Sequence, residues 1–225
     1  QHIAHSSQRA AHMVNQLLSM ARAEDKESAR RLTEVNLVRL ARETVRDFVP
    51  KAMDKRIDLG YEGPEQGQAL HGKLVGQPLL LRELIRNLVD NALQYTPAEG
   101  SVTVRLLDDP FGQVVVLQVE DTGPGIPEAE RELVFRAFYR ALGTEVDGSG
   151  LGLAIVHEVV QQHHAEITIS DARPRGASPA GVGPGALFTV RFPVQPIEPA
   201  PPGEAAGPGA GPALPNGRGA APEAA

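Results

Sequence analysis

The sequence predicts a domain that mixes α-helices with a β-sheet, and three observations support this α/β class. Two long segments, residues 36–55 and 78–95, carry apolar side chains at helical spacing. Several shorter runs have the composition and alternation of strands and are separated by turn residues. A glycine-rich loop leads into a third helix, from about Leu151 to His163. The predicted strands are residues 57–61, 69–75, 102–107, 114–120, 166–170 and 186–192.

Composition excludes several classes of function. The chain has 225 residues and no cysteine, which rules out disulfides and thiolate metal sites. Its formal net charge of −6 argues against a nucleic-acid-binding surface, so we expect no nucleic-acid partner. The sequence contains no apolar run long enough to span a bilayer and no visible signal peptide. Membrane attachment is therefore expected only through segments upstream of Gln1.

Residues 1–25 are predicted to form an amphipathic helix. Its apolar positions follow a weak heptad-like seam, and a charged break follows at residues 24–28. A core helix of the same domain is the simpler alternative, but the break favours packing on a partner helix. The clearest seam residues are Ile3, Met13, Leu17 and Met20. Three histidines on this helix are interpreted as solvated side chains: His2, His5 and His12.

The ends of the two long helices carry recognisable signals. Asn36 is a candidate N-cap, and Pro78 stands in the first turn of the second helix. Pro50 is expected to kink or perturb the first helix, because it lacks a backbone N–H. From residue 197 onward the chain is almost entirely proline, glycine and alanine. We expect that tail to be disordered, since it cannot bury an apolar face.

The second long helix has a polar stripe. Asn87, Asn91 and Tyr95 are four residues apart and therefore share one face. An amide oxygen is a hard, neutral ligand that suits Mg²⁺, and Mg²⁺ in turn bridges phosphates. Further along the chain Arg140 can meet phosphate charge. The stripe is thus a candidate metal and phosphate contact.

Two glycine loops complete the chemical signals. Asp121 ends a strand and is followed by Gly123 and Gly125, so its carboxylate can accept from the amine of adenine while the base approaches the backbone. The loop from Gly148 to Leu153 leaves unpaired N–H groups at the start of the next helix. The helix dipole favours an anion there, and a polyphosphate is the natural occupant. A plain structural turn is the alternative interpretation.

In combination, four motifs resemble the ATP-binding domain of sensor histidine kinases from two-component systems. That domain has the Bergerat-type fold shared with gyrase, Hsp90 and MutL. The resemblance runs from about Val35 to Val194. The motifs are NLVDNALQYTP at residues 87–97, DTGPGIP at 121–127, VFRAFYR at 134–140 and GSGLGL at 148–153.

The resemblance implies a two-layer α/β sandwich, in which helices cover one face of a mixed sheet of about five strands. It implies that Asn91 binds Mg²⁺ and that Asp121 recognises adenine. Residues 126–148 are expected to form a mobile lid, with Phe135 and Phe138 anchoring it or docking it on the dimerisation helices; simple core packing is the alternative. The expected nucleotide contacts are Asn87, Asn91, Tyr95, Asp121, Gly123, Gly125, Ile126, Arg140, Gly148, Ser149, Gly150, Leu151, Gly152 and Leu153.

The implied function is that of a protein histidine kinase that presents Mg-ATP to a histidine, for onward transfer to a response regulator. Residues 1–34 resemble the second helix of a dimerisation and phosphotransfer hairpin. Residues 35–196 resemble the catalytic domain, and residues 197–225 are expected to form a tail. None of the seven histidines has the phosphoacceptor context, so that histidine is expected upstream. The full-length protein is expected to be a homodimeric membrane sensor with this part on the cytoplasmic side.

Three other functions remain open. An ATPase of the same fold uses a glutamate one helical turn before the magnesium asparagine, but this chain has Asn87 there, and an amide cannot accept the proton. A protein-serine kinase of the anti-sigma-factor type shares the fold, but the first helix argues against it. A catalytically silent nucleotide-binding or dimerisation module is disfavoured because the ligand residues are intact. One small departure from the family is His163-His164-Ala165, where a glycine usually ends the helix.

Overall fold

A computed structural model describes residues 32–65, 72–109, 111, 113–139, 149–175 and 183–196. The predicted N-terminal helix, Arg140, Gly148 and the tail lie outside these residues. The helices are α1 (Leu37–Asp54), α2 (Pro78–Tyr95) and α3 (Gly152–Gln162). The strands are β1 (Thr33–Glu34), β2 (Asp58–Glu62), β3 (Gly72–Lys73), β4 (Val75–Gly76), β5 (Ser101–Asp109), β6 (Val114–Asp121), β7 (Glu166–Asp171), β8 (Ala186–Pro193) and β9 (Gln195–Pro196).

Five strands form a mixed sheet in the order β2-β5-β6-β8-β7. Strand β2 runs parallel to β5, and the other neighbours are antiparallel. Buried residues line up across the sheet, with Val119 opposite both Val104 and Phe188. The three helices pack over this face and enclose one apolar core. The predicted two-layer sandwich is confirmed.

The opposite face of the sheet is polar, which explains the alternation in the sequence. Arg105 on β5 forms ion pairs with Glu62 on β2 and with Glu120 on β6. Thr189 on β8 receives a hydrogen bond from Gln118 at 3.3 Å. Outward-facing residues thus bridge neighbouring strands, while inward-facing ones build the core.

Capping residues set the ends of the helices as the sequence predicts. The side-chain oxygen of Asn36 accepts a hydrogen bond from the Arg39 N–H at 2.9 Å and caps α1. Pro78 occupies the first turn of α2. Pro50 lies inside α1, which continues to Asp54. Lys55, just beyond α1, donates to the carbonyls of Leu93 and Gln94 and so holds the end of α2.

Two sequence-based assignments were wrong in extent. The strand predicted for residues 69–75 is divided, in its described part from residue 72 onward, between two short strands, because β3 pairs with β9 while β4 pairs with β1, and Leu74 between them is buried. For residues 127–141 the sequence predicts helical character, and in the described residues 127–139 this is limited to two 3₁₀ turns, Glu128–Glu130 and Leu133–Phe135. Arg136 then adopts an extended conformation and Phe138 a left-handed one, which ends the helical path.

The C-terminus of α3 is closed by a Schellman motif without glycine. Ala165 N–H donates to the Val160 carbonyl at 3.0 Å and His164 N–H to the Gln161 carbonyl at 3.2 Å. His164 therefore takes the left-handed position with φ 51°. A side chain with a Cβ is strained in that conformation, by about 1–2 kcal/mol.

Candidate functional site

The described candidate residues meet at one end of the molecule, with α2 as their common support. The Asn87 side-chain oxygen lies 3.1 Å from the position that a Cβ on Gly152 would take. The Tyr95 carbonyl oxygen lies 3.0 Å from the corresponding position on Gly123. Helix α2 thus touches the loop after β6 near its C-terminus and the start of α3 near its middle.

Asp121 ends β6 on the core side of the sheet and is only 3% exposed. Its Oδ1 accepts hydrogen bonds from the backbone N–H groups of Gly123 at 2.8 Å and Ala186 at 3.2 Å. Burial raises the pKa of Asp121 to about 6, and the two N–H donors and Arg173 oppose that rise. The backbone therefore fixes the position of the Asp121 carboxylate, and its pKa lies close to neutral pH.

One glycine that the sequence did not mark as part of the site, Gly185, covers Asp121. Gly185 has φ +71°, and a Cβ there would lie 2.0 Å from the Asp121 carbonyl oxygen. Its N–H donates to the Gly123 carbonyl at 3.1 Å. Gly125 has φ +77° and packs in the same way against Pro184. The available signal in the sequence is the Gly183-Pro184-Gly185 run directly before β8.

The glycine loop before α3 is shaped by contact with the preceding segment. Gly150 has φ +70°, and its carbonyl accepts a hydrogen bond from Phe138 N–H at 2.9 Å. A Cβ on Gly150 would lie 2.9 Å from the Phe138 backbone. Leu151 is fully buried and no side chain within the described residues caps α3, so the first-turn N–H groups have neither an intrahelical nor a side-chain partner. Ser149 Oγ accepts from Leu151 N–H at 3.2 Å.

The two asparagines on α2 differ in their surroundings. The Asn87 amide nitrogen donates to the Glu83 carbonyl at 2.8 Å, which turns its oxygen towards Gly152. Asn91 is half-buried, and its side chain makes no hydrogen bond within the described residues. The same residues contain no cluster of three or more histidines or carboxylates that could hold a metal ion. A free amide oxygen fits a cation that takes its remaining ligands from phosphates.

The described part of the predicted lid is anchored at both ends. Arg131 and Arg175 both donate to the Ile126 carbonyl and both pair with Asp171 at the end of β7. The Phe135 ring packs on His157 of α3 with 5.6 Å between ring centroids.

The aromatic residue at the far end of that part does not belong to the core. Phe138 is 63% exposed and left-handed, so the core interpretation of this residue was wrong. Its backbone nevertheless joins the lid to Gly150 through the hydrogen bond described above.

Within the described ranges, no helix combines the length and the apolar character needed to cross a bilayer.

Comparisons with known proteins agree with this geometry. Residues 76–196 match the family described as histidine kinase-, DNA gyrase B-, and HSP90-like ATPase. The histidine-protein kinase/phosphatase MprB of Mycobacterium sp. (strain KMS) is 39% identical over 159 residues. That alignment covers 70% of this chain but 29% of MprB, so the chain spans under a third of that relative.

Solved structures give the same picture. The mycobacterial sensor histidine kinase MprB superposes with a TM-score of 0.62 and 30% identity, covering 74% of this chain and 99% of that one. Full-length ShkA in complex with AMPPNP has a TM-score of 0.68 and 25% identity, covering 86% of this chain and 37% of that one. The first match spans a complete solved domain.

Proposed function

Because the chain belongs to the histidine kinase-, DNA gyrase B- and HSP90-like ATPase family, as a catalytic domain of the sensor histidine kinase type, we propose that it presents Mg-ATP to a histidine. That histidine lies on a helix preceding this chain in the whole protein, and the phosphoryl group passes on to a response regulator. The helix that the sequence predicts for residues 1–25 would contribute to a homodimer, and the membrane attachment and cytoplasmic placement belong to the whole sensor.

The observation that carries the proposal is the geometry of Asp121. Both hydrogen bonds from the backbone end on Oδ1, which leaves Oδ2 for a donor from a ligand. The exocyclic amine of adenine is such a donor, and Gly123 and Gly125 let the base approach the backbone. ShkA, a solved structure of similar fold, is in complex with AMPPNP, which supports an adenine nucleotide as the ligand.

The phosphates belong at the other end of the site. The uncapped N-terminus of α3 offers backbone N–H groups, and Asn91 offers its free oxygen to Mg²⁺ bound to the phosphates. A bound Mg²⁺ neutralises phosphate charge. Tyr95 and Asn87 lie on the same stripe of α2. We assign Arg140 and Gly148 to the phosphates by their positions in the motifs.

In the transfer step a histidine nitrogen forms a bond to the γ-phosphorus while the bond to the β–γ bridging oxygen breaks and ADP leaves. The contribution of this chain is positioning. Attack by water would need a base near position 87. Asn87 cannot take a proton, since it carries an amide whose nitrogen already donates to the Glu83 carbonyl.

Calorimetry tests the nucleotide and metal roles. The intact chain should bind one Mg-ADP. In Asn91→Ala, adding Mg²⁺ should no longer raise the affinity for ADP, whereas the matched variant Asn87→Ala should keep a magnesium effect. If Asn91→Ala retains the full magnesium effect, the metal assignment is wrong.

A labelling assay tests the reaction. The chain should be incubated with γ-labelled ATP and Mg²⁺, alone and with an added protein that carries the phosphoacceptor helix. We expect no label on the chain alone, slow release of phosphate, and acid-labile label on the added helix. Acid-stable label on the chain would favour the serine-kinase alternative, and rapid phosphate release by the chain alone would favour the ATPase.

A further inference from the structure

His163 joins three elements at the end of the molecule opposite the nucleotide loop. Its side chain is buried at 6% exposure. Its Nδ1 lies 2.8 Å from the Val159 carbonyl oxygen of α3, and its Nε2 lies 3.0 Å from the backbone nitrogen of Gln77, which precedes α2. The first contact requires a proton on Nδ1 and the second a lone pair on Nε2, so the ring is the neutral Nδ1–H tautomer.

The ring also covers β4. A Cβ on Gly76 would lie 2.7 Å from His163 Cδ2, so the backbone of β4 lies against the imidazole with no room for a side chain. The Gln77 N–H lies at the N-terminal end of α2, where helix N–H groups lack intrahelical partners. His163 therefore satisfies a partly buried donor that α2 cannot satisfy itself.

Helices α2 and α3 are antiparallel and pack on each other through the apolar core, with one further contact towards each end of α3. Near the nucleotide site, Gly152 packs on the side-chain oxygen of Asn87. One helix length away, His163 is bonded to Gln77. Asn91 lies on α2, one turn beyond Asn87. Any rotation or sliding of α3 along α2 would thus shift the Gly150–Gly152 loop relative to Asn91.

We propose that His163 is a positioning residue for the nucleotide site, which fixes α3 on α2 and thereby sets the distance between the Gly150–Gly152 loop and Asn91. It contacts no nucleotide itself. The expected effect on nucleotide affinity rests on the proposed nucleotide function. The coupling between His163 and the Gly150–Gly152 loop at the other end of α3, however, is a property of the ligand-free chain.

Protonation should weaken this contact, because a proton on Nε2 removes the lone pair that accepts from Gln77. Burial lowers the pKa of His163, the Val159 carbonyl opposes that change, and the charge of the exposed neighbour His164 adds to it. From β4 and the start of α2 the ring is faced by Gly76 and the Gln77 backbone, which carry no charge. The histidine is therefore neutral near pH 7, and the junction should loosen in acid.

The first test needs no ligand. Amide NMR shifts of Gly150, Leu151 and Gly152 are followed from pH 8 to pH 5 in an Asp121→Asn, His157→Gln background, which removes the buried carboxylate at the other end of the site and the histidine within α3 that packs on Phe135. We expect these amides and that of Gln77 to report one common titration below pH 6.5. His163→Gln should abolish it, because a glutamine amide can accept from Gln77 but does not titrate in this range. His164→Gln, the matched control, should preserve it.

The second test measures Mg-ADP affinity at pH 8 in the otherwise wild-type chain. His163→Leu leaves the Gln77 N–H without a partner and should weaken binding about tenfold, while His163→Gln should stay within about twofold. Wild-type affinity in a folded His163→Leu variant, or loop amides that do not follow His163, would overturn the proposal. A wild-type chain that fails to bind Mg-ADP refutes the nucleotide function instead, and leaves the NMR result to decide the linkage.

Discussion

The two ends of the candidate site are built in different ways. At the Asp121 end, two glycine loops pack backbone against backbone, and the carboxylate is held by two N–H groups. At the Asn91 end, the functional amide has no partner within the described residues, and the N-terminus of α3 is uncapped. The Asp121 end is held by the protein's own backbone and keeps only Oδ2 for a ligand, whereas the Asn91 end leaves both the amide and the helix N–H groups for a ligand to satisfy.

Because of this difference, variants at the two ends of the site should affect domain stability and ligand affinity to different degrees. A change at the Asp121 end should alter the folded domain itself, because its polar groups are already part of the core hydrogen-bonding network. A change at the Asn91 end should alter binding while leaving the apo domain nearly unchanged. Substitutions at each end of the site therefore test this contrast.

The largest effect is expected from Gly185→Ala. The new Cβ would lie 2.0 Å from the Asp121 carbonyl, in a left-handed backbone that disfavours side chains. Chemical denaturation should show a loss of at least about 3 kcal/mol of unfolding free energy. Gly150→Ala, at the other end, should lose less stability and more Mg-ADP affinity, because the loop is bounded by Phe138 rather than by the sheet.

A strand glycine provides the control for both variants. Gly60 on β2 has no heavy atom within 4 Å of the position that a Cβ would take, and its backbone has no left-handed strain. Gly60→Ala should therefore be neutral or stabilise by up to about 1 kcal/mol. If Gly185→Ala and Gly60→Ala unfold at similar denaturant concentrations, the two loops are not packed as described.

Asp121→Asn should weaken Mg-ADP binding about 100-fold, or roughly 2.7 kcal/mol. The amide keeps an oxygen for Gly123 and Ala186 but loses the negative charge that favours the adenine amine. Titration calorimetry measures this directly, with the exposed Asp58→Asn as a matched control that should bind normally. Equal affinity in Asp121→Asn and wild type would exclude the adenine role.

The same variant should stabilise the apo domain above pH 6. The folded pKa of Asp121 is raised, so its contribution to stability is complete below the unfolded pKa near 4 and is lost as the pH rises through about 6. Asp121→Asn removes this loss, and we expect a gain of about 2 kcal/mol at pH 7.5 that shrinks to near zero at pH 4. Denaturation at both pH values tests the sign; a gain independent of pH would contradict the buried charge.

Particular residues show how far the sequence alone could reach. Asn36, Pro78 and Asp121 act through local signals, and the structure places each as the sequence indicates. Gly185 could not be assigned, because its importance depends on contact with Asp121, 64 residues earlier. Such long-range contacts have no periodic signature.

The division between β3 and β4 has a similar cause. A short segment gives no sign that its two ends will pair with different strands, and here the partners are β9 and β1. The hydrogen bond of His163 to Gln77 also joins residues far apart in the sequence. A lone histidine near a helix end is interpreted most simply as a terminal residue, and its acceptor role becomes visible only when α2 is placed beside it.

The smallest effect concerns His164, which holds the left-handed position that ends α3. His164→Gly should raise the unfolding free energy by about 1 kcal/mol, because glycine adopts this conformation without a steric penalty. His164→Ala keeps a Cβ and should give no such gain. Mg-ADP affinity at pH 8 should be unchanged in both variants, since the Schellman hydrogen bonds and the His163 contact remain. Tighter Mg-ADP binding by His164→Gly would mean that the affinity at the phosphate end is limited by the stability of α3 rather than by the open loop before it. The contrast between the two ends would then need revision.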